Sequence, residues 1–124
     1  MTSVAMLLLV DDDPAVRASL KFSLELEGFA VETFDSGETL VAQEKLADPA
    51  CLILDYRLPG IDGLMLLGLL RERGMTCPAV IITSNPPRSV RARASNAGAV
   101  LIEKPLLSDD LTGAVRRLIH REAA

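Results

Sequence analysis

Four aliphatic stretches of this 124-residue sequence break off at residues able to do chemistry. Met6 to Val10 stops at Asp11, Asp12 and Asp13, Cys51 to Leu54 at Asp55, Ala79 to Ile82 at Thr83, and Val100 to Glu103 at Lys104. If these ends meet, carboxylates, a hydroxyl and an ammonium share one pocket. Crowded carboxylates repel one another unless a cation joins them, and hard oxygen donors without nitrogen or sulfur favour Mg2+. An octahedral ion that keeps several waters leaves room for a phosphoryl oxygen, and a lysine opposite it stabilises negative charge. The chemistry this predicts is phosphoryl transfer, with a carboxylate as nucleophile and an acyl phosphate as product.

Composition removes most competing chemistries. The one histidine, His120, sits near the C-terminus, so Ser-His-Asp or Cys-His catalysis and multi-histidine metal sites have no basis. Cys51 and Cys77 lack metal-ligand spacing and read as reduced, half-buried thiols. Lys and Arg number 13 against 17 Asp and Glu, a net charge of -4, which disfavours direct nucleic-acid binding. The longest apolar run, Val4 to Val10, is too short to span a bilayer and lacks the flanks of a secretion signal, so no membrane partner and a cytoplasmic location are expected.

The site requires its four stretches to be neighbouring strands. Consecutive apolar residues at Met6–Val10 suit a central parallel strand covered on both faces, whereas Ala30–Phe34 alternates and reads as an edge strand. Between strands the spacing predicts helices. The first covers Pro14 to Glu27 behind an Asp13 cap, and the second runs from a Ser36 cap to about Leu46. A third spans about Gly63 to Arg73, with Met65, Leu66, Leu67, Leu69 and Leu70 all assigned to the core. A fourth, from about Ser89 to Ala97, is rich in small residues and arginine, and a last helix starts at Ser108 to Asp110 and ends near Arg121. Five β/α units fill the chain, and right-handed crossovers make it an α/β protein with an open five-stranded parallel sheet and helices on both faces. Ligands of such sheets bind beyond the carboxyl ends of the strands, where the chemical residues were found.

In this arrangement Val10-Asp11-Asp12, Leu54-Asp55 ahead of Leu58-Pro59-Gly60 and Asp62-Gly63, Ile82-Thr83-Ser84, and Glu103-Lys104-Pro105 together resemble the receiver domain of bacterial two-component response regulators. The resemblance covers essentially the whole chain and implies a single domain over 1–124 with the flavodoxin-like (βα)5 fold, strand order 2-1-3-4-5. It implies that a sensor histidine kinase or phosphotransfer protein phosphorylates Asp55. Mg2+ would be held by Asp12, Asp55 and the backbone carbonyl of Arg57, with Asp11 acting through water. Lys104 would pair with the acceptor carboxylate and then the phosphate, and Thr83 would donate to a phosphoryl oxygen. Arg57 and Asn85 would flank that group, and a cis Lys104-Pro105 bond is in keeping with the tight turn. The face formed by the fourth helix, fifth strand and fifth helix would meet an output domain or a second copy. Arg88, Arg91, Arg93, Arg116, Arg117 and Arg121 make its helices basic in an acidic protein. Such a domain is a phospho-acceptor in signalling rather than an enzyme acting on a separate substrate.

Each motif alone has a plainer reading. Asp11 to Asp13 could only cap a helix, Thr83 could be an ordinary strand residue, and Tyr56 and His120 read as surface or packing residues. Lysine is scarce here, however, with only Lys21, Lys45 and Lys104, so its place at a strand end is not a compositional accident. Two features depart from the resemblance. Leu101 stands three residues before Lys104, where the family places an aromatic switch, and the segment from Thr83 to Lys104 is one residue short after Gly98-Ala99. They support an alternative, a phosphorylation-independent interaction module of the same fold. A haloacid dehalogenase-type hydrolase would need an Asp where Arg57 stands, and a flavin phosphate would meet Asp11 to Asp13 where it needs donors.

Overall fold

Parallel strands need both faces covered, and here the two periodicities of the chain supply the covers. In the computed structural model, which describes residues 4–46, 48–104 and 110–123, the elements alternate from one end to the other. They are β1 (Met6–Val10), α1 (Pro14–Leu26), β2 (Ala30–Phe34), α2 (Gly37–Val41) and β3 (Cys51–Asp55). Then come α3 (Gly63–Glu72), β4 (Ala79–Thr83), α4 (Arg88–Asn96), β5 (Ala99–Glu103) and α5 (Asp110–Ala123). All pairings are parallel, in the order β2-β1-β3-β4-β5. β3 is central and β2 and β5 form the edges, as the alternation in β2 predicted.

Successive strand residues point to opposite faces and so feed two separate cores. Leu8, Val10, Leu52, Leu54 and Ile81 pack with Leu40 of α2, the inner leucines of α3, and Val90 and Ala94 of α4. Leu7, Leu9, Ile53, Val80 and Ile82 pack on the opposite side with Leu24 of α1 and Leu111 and Val115 of α5. Asp13 starts α1 by accepting from the N–H groups of Ala15 and Val16 at 2.9 and 3.3 Å, with Pro14 as the first helical residue. α4 has no such start. Its N-cap is Pro87, no side chain caps it, its first turn carries Arg88 instead of an acid, and only Val90 and Ala94 are buried.

The structure corrects three expectations. α2 ends at Val41 rather than near Leu46. Beyond buried Leu40 and half-buried Val41 the next four residues are exposed, and Arg73 donates to the carbonyls of Val41 and Gln43, both at 2.8 Å. Met65 and Leu69 are exposed, at 50% and 37%, because a ten-residue helix lying on one sheet face turns only Gly63, Leu64, Leu66, Leu67 and Leu70 inward. Cys51 and Cys77 are buried rather than half-buried, as free thiols, and burial pushes them up to about 12 and about 11. Tyr56 packs partly against the first core and His120 is exposed, as expected. The Ser108 and Asp109 start of the last helix and the Lys104-Pro105 bond lie outside the described residues.

Two substitutions on α3 test this correction. Leu66→Ala should cost about 2–5 kcal/mol in urea unfolding because it leaves a cavity, whereas Met65→Gln, one position away, should change stability by less than about 0.5 kcal/mol.

Candidate functional site

The sheet register decides which side chains meet. Val10 aligns with Leu54 and Asp55 with Ile82, so the chain leaves β1, β3 and β4 along one edge, and Thr83 aligns with Glu103 immediately before Lys104. Backbone hydrogen bonds carry this alignment past the strand ends. Tyr56 N–H donates to Ile82 C=O and Lys104 N–H to Thr83 C=O, both at 2.8 Å. Asp11, Asp55 and Thr83 are all buried at this edge and Asp12 is exposed at its mouth.

One carboxylate oxygen from each of Asp11, Asp12 and Asp55 lies within 4.8 Å of the others. Lys104 Nζ stands 3.5 Å from Asp55 Oδ1, within ion-pair reach but too far to satisfy that oxygen, which is buried with no hydrogen-bond partner among the described residues. Burial is the main force raising the Asp55 carboxyl above its usual range, and the Asp11 charge adds to it. Lys104 and the Arg57 N–H pull in the opposite direction. Asp11 is likewise raised, chiefly by burial, against a hydrogen bond from Asp13 N–H at 2.9 Å. A crowded set of oxygens with one buried oxygen unpartnered is the donor chemistry that suits a small divalent cation.

The segment between β3 and α3 forms the floor. Gly60 takes a φ of +80°, a conformation that favours glycine. Asp62 then caps α3 by accepting from Met65 N–H at 2.8 Å, and Gly63 N–H donates to Tyr56 C=O at 2.9 Å. Gly63 has no room for a side chain, since a Cβ there would stand 2.5 Å from the Asp55 carbonyl oxygen. Two ion pairs tie α4 to this region: Arg91 with Glu103, next to Lys104, and Arg93 with Asp62 at 3.7 Å.

Asp11, Asp12 and Asp55 thus come together as the sequence indicated, Lys104 joins them, and Thr83 ends the neighbouring strand. Arg57 follows Tyr56 with an exposed side chain, its backbone lying beside Asp55. Sequence reasoning quoted Gly63 only as part of a motif and passed over Arg17, whose guanidinium donates to the Asp11 carbonyl at 2.8 Å. The signal available for it was a long cation on the first turn of the helix that follows the acidic run.

A family model described as "Response regulator receiver domain" matches residues 7–116. The chain is 37% identical over 114 residues to the C4-dicarboxylate transport transcriptional regulatory protein DctD of Pseudomonas aeruginosa, covering 91% of this chain and 25% of that protein. It is 32% identical over 122 residues to the transcriptional regulatory protein FixJ of Bradyrhizobium diazoefficiens, covering 98% and 60%. The chain therefore spans a quarter to three fifths of the length of these relatives. Among solved structures, a response regulator receiver domain protein (CheY-like) from Methanospirillum hungatei superposes with a TM-score of 0.84 at 26% identity, covering 98% of both chains.

The electrostatics set a sign for Asp55. Its carboxyl is raised in the folded state from 3.8, so the stability linked to its neutral form is complete below that pH and is lost as pH rises through the folded value. Asp55→Asn should therefore raise Tm at pH 7 in chelator, at about 4 °C per kcal/mol relieved, and the gain should shrink as the pH is lowered toward 4 in paired thermal melts. Gly63→Ala, by contrast, should lose about 1–3 kcal/mol by the same method, because its methyl collides with backbone.

Proposed function

This chain belongs to the response regulator receiver domain family, and from that premise we propose that Asp55 accepts a phosphoryl group from a histidine kinase or phosphotransfer protein, with Mg2+ as cofactor. The observation that supports this most directly is the buried, unpartnered Asp55 Oδ1, gathered with Asp11 and Asp12 and faced by Lys104. Held by Asp12, Asp55 and the Arg57 carbonyl, and through water by Asp11, the ion would neutralise the carboxylates and bind phosphoryl oxygen.

The protein's own groups do the rest. An Asp55 oxygen forms the bond to phosphorus while the bond from phosphorus to the donor imidazole nitrogen breaks. The electron pair of that bond stays on the nitrogen and the ring's other nitrogen keeps the proton it carried in the phosphohistidine, so an aspartyl phosphate and a neutral histidine result. Lys104, already 3.5 Å from Asp55, balances charge carried onto the new oxygens. Thr83 at the end of β4 is the hydroxyl that would donate to one of them, and Arg57 and Asn85 flank the approach. Replacing a carboxylate by the more highly charged phosphoryl group redistributes charge beside Lys104 and Glu103. The ion pairs of Arg91 and Arg93 carry that change to α4, so the face of α4, β5 and α5 presents itself differently to an output domain or a second copy. Residues 1–124 act in this reading as one cytoplasmic receiver unit. No helix among the described residues is long and apolar enough to cross a membrane.

Leu101 favours a second reading. It sits half-buried on β5 against the first core, where the family resemblance called for a switching aromatic, so docking without phosphorylation has a structural basis. Beryllofluoride with Mg2+ should shift amide resonances both in the pocket and along α4; shifts confined to the pocket would favour this alternative.

Incubation with acetyl phosphate and Mg2+ should add one phosphoryl mass to the wild type, seen by intact-mass spectrometry, and none to Asp55→Asn. Wild-type protein that stays unmodified in the presence of Mg2+ would refute the phospho-acceptor role.

A further inference from the structure

The proposed metal site rests on a turn, residues 11 to 13, that carries three consecutive carboxylates and has every electrostatic reason to open. Its C-terminal end is tied to α1 through Asp13, which accepts from Ala15 and Val16 N–H with its side chain and from Arg17 N–H with its carbonyl, and three further contacts hold Asp11. Asp13 N–H donates to Asp11 Oδ1 at 2.9 Å, and Asp11 N–H donates to Phe34 C=O at 3.2 Å. The third comes from outside the turn, from Arg17, six residues on, whose guanidinium donates to the Asp11 carbonyl at 2.8 Å. Arg17 lies on the first turn of α1, and its own N–H bonds to Asp13 C=O at 2.9 Å. Helical side chains lean toward the N-terminus, so a long cation placed there folds back over the acidic turn. Arg17 is partly buried, and the residue whose carbonyl it holds is 3% exposed.

We propose that Arg17 is a positioning residue for the magnesium site: by fixing the Asp11 carbonyl it locks the turn that presents Asp11 and Asp12 toward Asp55. This inference rests on the magnesium reading of the acidic cluster. Two effects of the guanidinium have opposite signs. As a bare positive charge near the carboxylates it would weaken cation binding, so its removal would tighten affinity. As the lock on the turn it preorganises the ligands, so its removal would loosen affinity, by about tenfold if it acts like other groups that orient metal ligands. The short, partly buried bond to a backbone carbonyl favours the second effect, because it acts directly on the backbone of the residue that presents a ligand.

The chain carries its own reporter, since Tyr56 is its single tyrosine, adjoins Asp55, and is accompanied by no tryptophan. Tyrosine fluorescence titrated with MgCl2 should give a Kd about tenfold weaker for Arg17→Met than for wild type. Arg17→Lys, which keeps a donor and the charge, should bind within about threefold of wild type. Lys21→Met removes one positive charge from the exposed side of the same helix and should leave Kd unchanged. Thermal melts by circular dichroism establish that each variant is folded, and if Arg17→Met is not, Arg17→Gln replaces it under the same expectation. Arg17→Met binding Mg2+ as tightly as wild type, or more tightly, would overturn the positioning role. Equal weakening in Arg17→Lys and Arg17→Met would overturn it too, because a donor would then not suffice. A wild type with no saturable response to MgCl2, by fluorescence and by calorimetry, would instead overturn the magnesium reading on which the inference stands.

Discussion

Repulsion between carboxylates held together at the edge of a buried sheet is the constraint around which this molecule is organised. Asp55 and Asp11 are both taken out of water and both raised by that burial, and the Asp11 charge adds to the cost of ionising Asp55. Left to relax, such groups would turn apart into solvent. They do not because β1 and β3 are hydrogen-bonded neighbours with apolar layers on both faces, which fixes where their ends emerge. The packing energy of the two cores thus maintains a local arrangement that is unfavourable on its own terms, as functional sites commonly require. In the proposed reading, a cation would find this arrangement already assembled.

The supports for that edge are backbone contacts more than side-chain ones. Gly63 lets α3 begin directly against the Asp55 carbonyl, Tyr56 N–H reaches across to β4, and Lys104 N–H reaches back to Thr83. On the neighbouring strand β1, Asp11 N–H reaches across to Phe34, and the Arg17 side chain adds a contact to the Asp11 carbonyl. Main-chain anchoring suits a site whose side chains must stay free for ligands.

Most of the fold and the acidic cluster were legible in the sequence, for a reason specific to this architecture. Doubly covered parallel strands read as unbroken apolar runs, and the candidate residues Asp11, Asp55 and Thr83 are the first polar ones after them, with Lys104 one place beyond Glu103, so the signal that locates them also locates the strand ends. Where the pattern carries no contrast, the reading erred. α3 is apolar nearly all round, and hydropathy alone could not show that Met65 and Leu69 face outward. The extent of α2 depended on Arg73, which takes up the carbonyls at its end from 30 or more residues away. Contacts of that sort, between residues 30 or more apart, are set by three-dimensional proximity and leave no local trace.

α4 lacks a side-chain cap, begins with an arginine at the end of the helix dipole where a positive charge is unwelcome, and buries only two side chains. Beyond those two side chains its ties include the ion pairs of Arg91 with Glu103 on β5 and of Arg93 with Asp62 before α3, whose arginines are about half exposed and which therefore each contribute little. Attachments of that kind are screened over about 8 Å at physiological ionic strength. In the reading proposed above, the helix that would pass on the signal is therefore the one whose ties are most open to the ionic composition of its surroundings, while the strand ends beneath the acidic cluster are joined by main-chain hydrogen bonds.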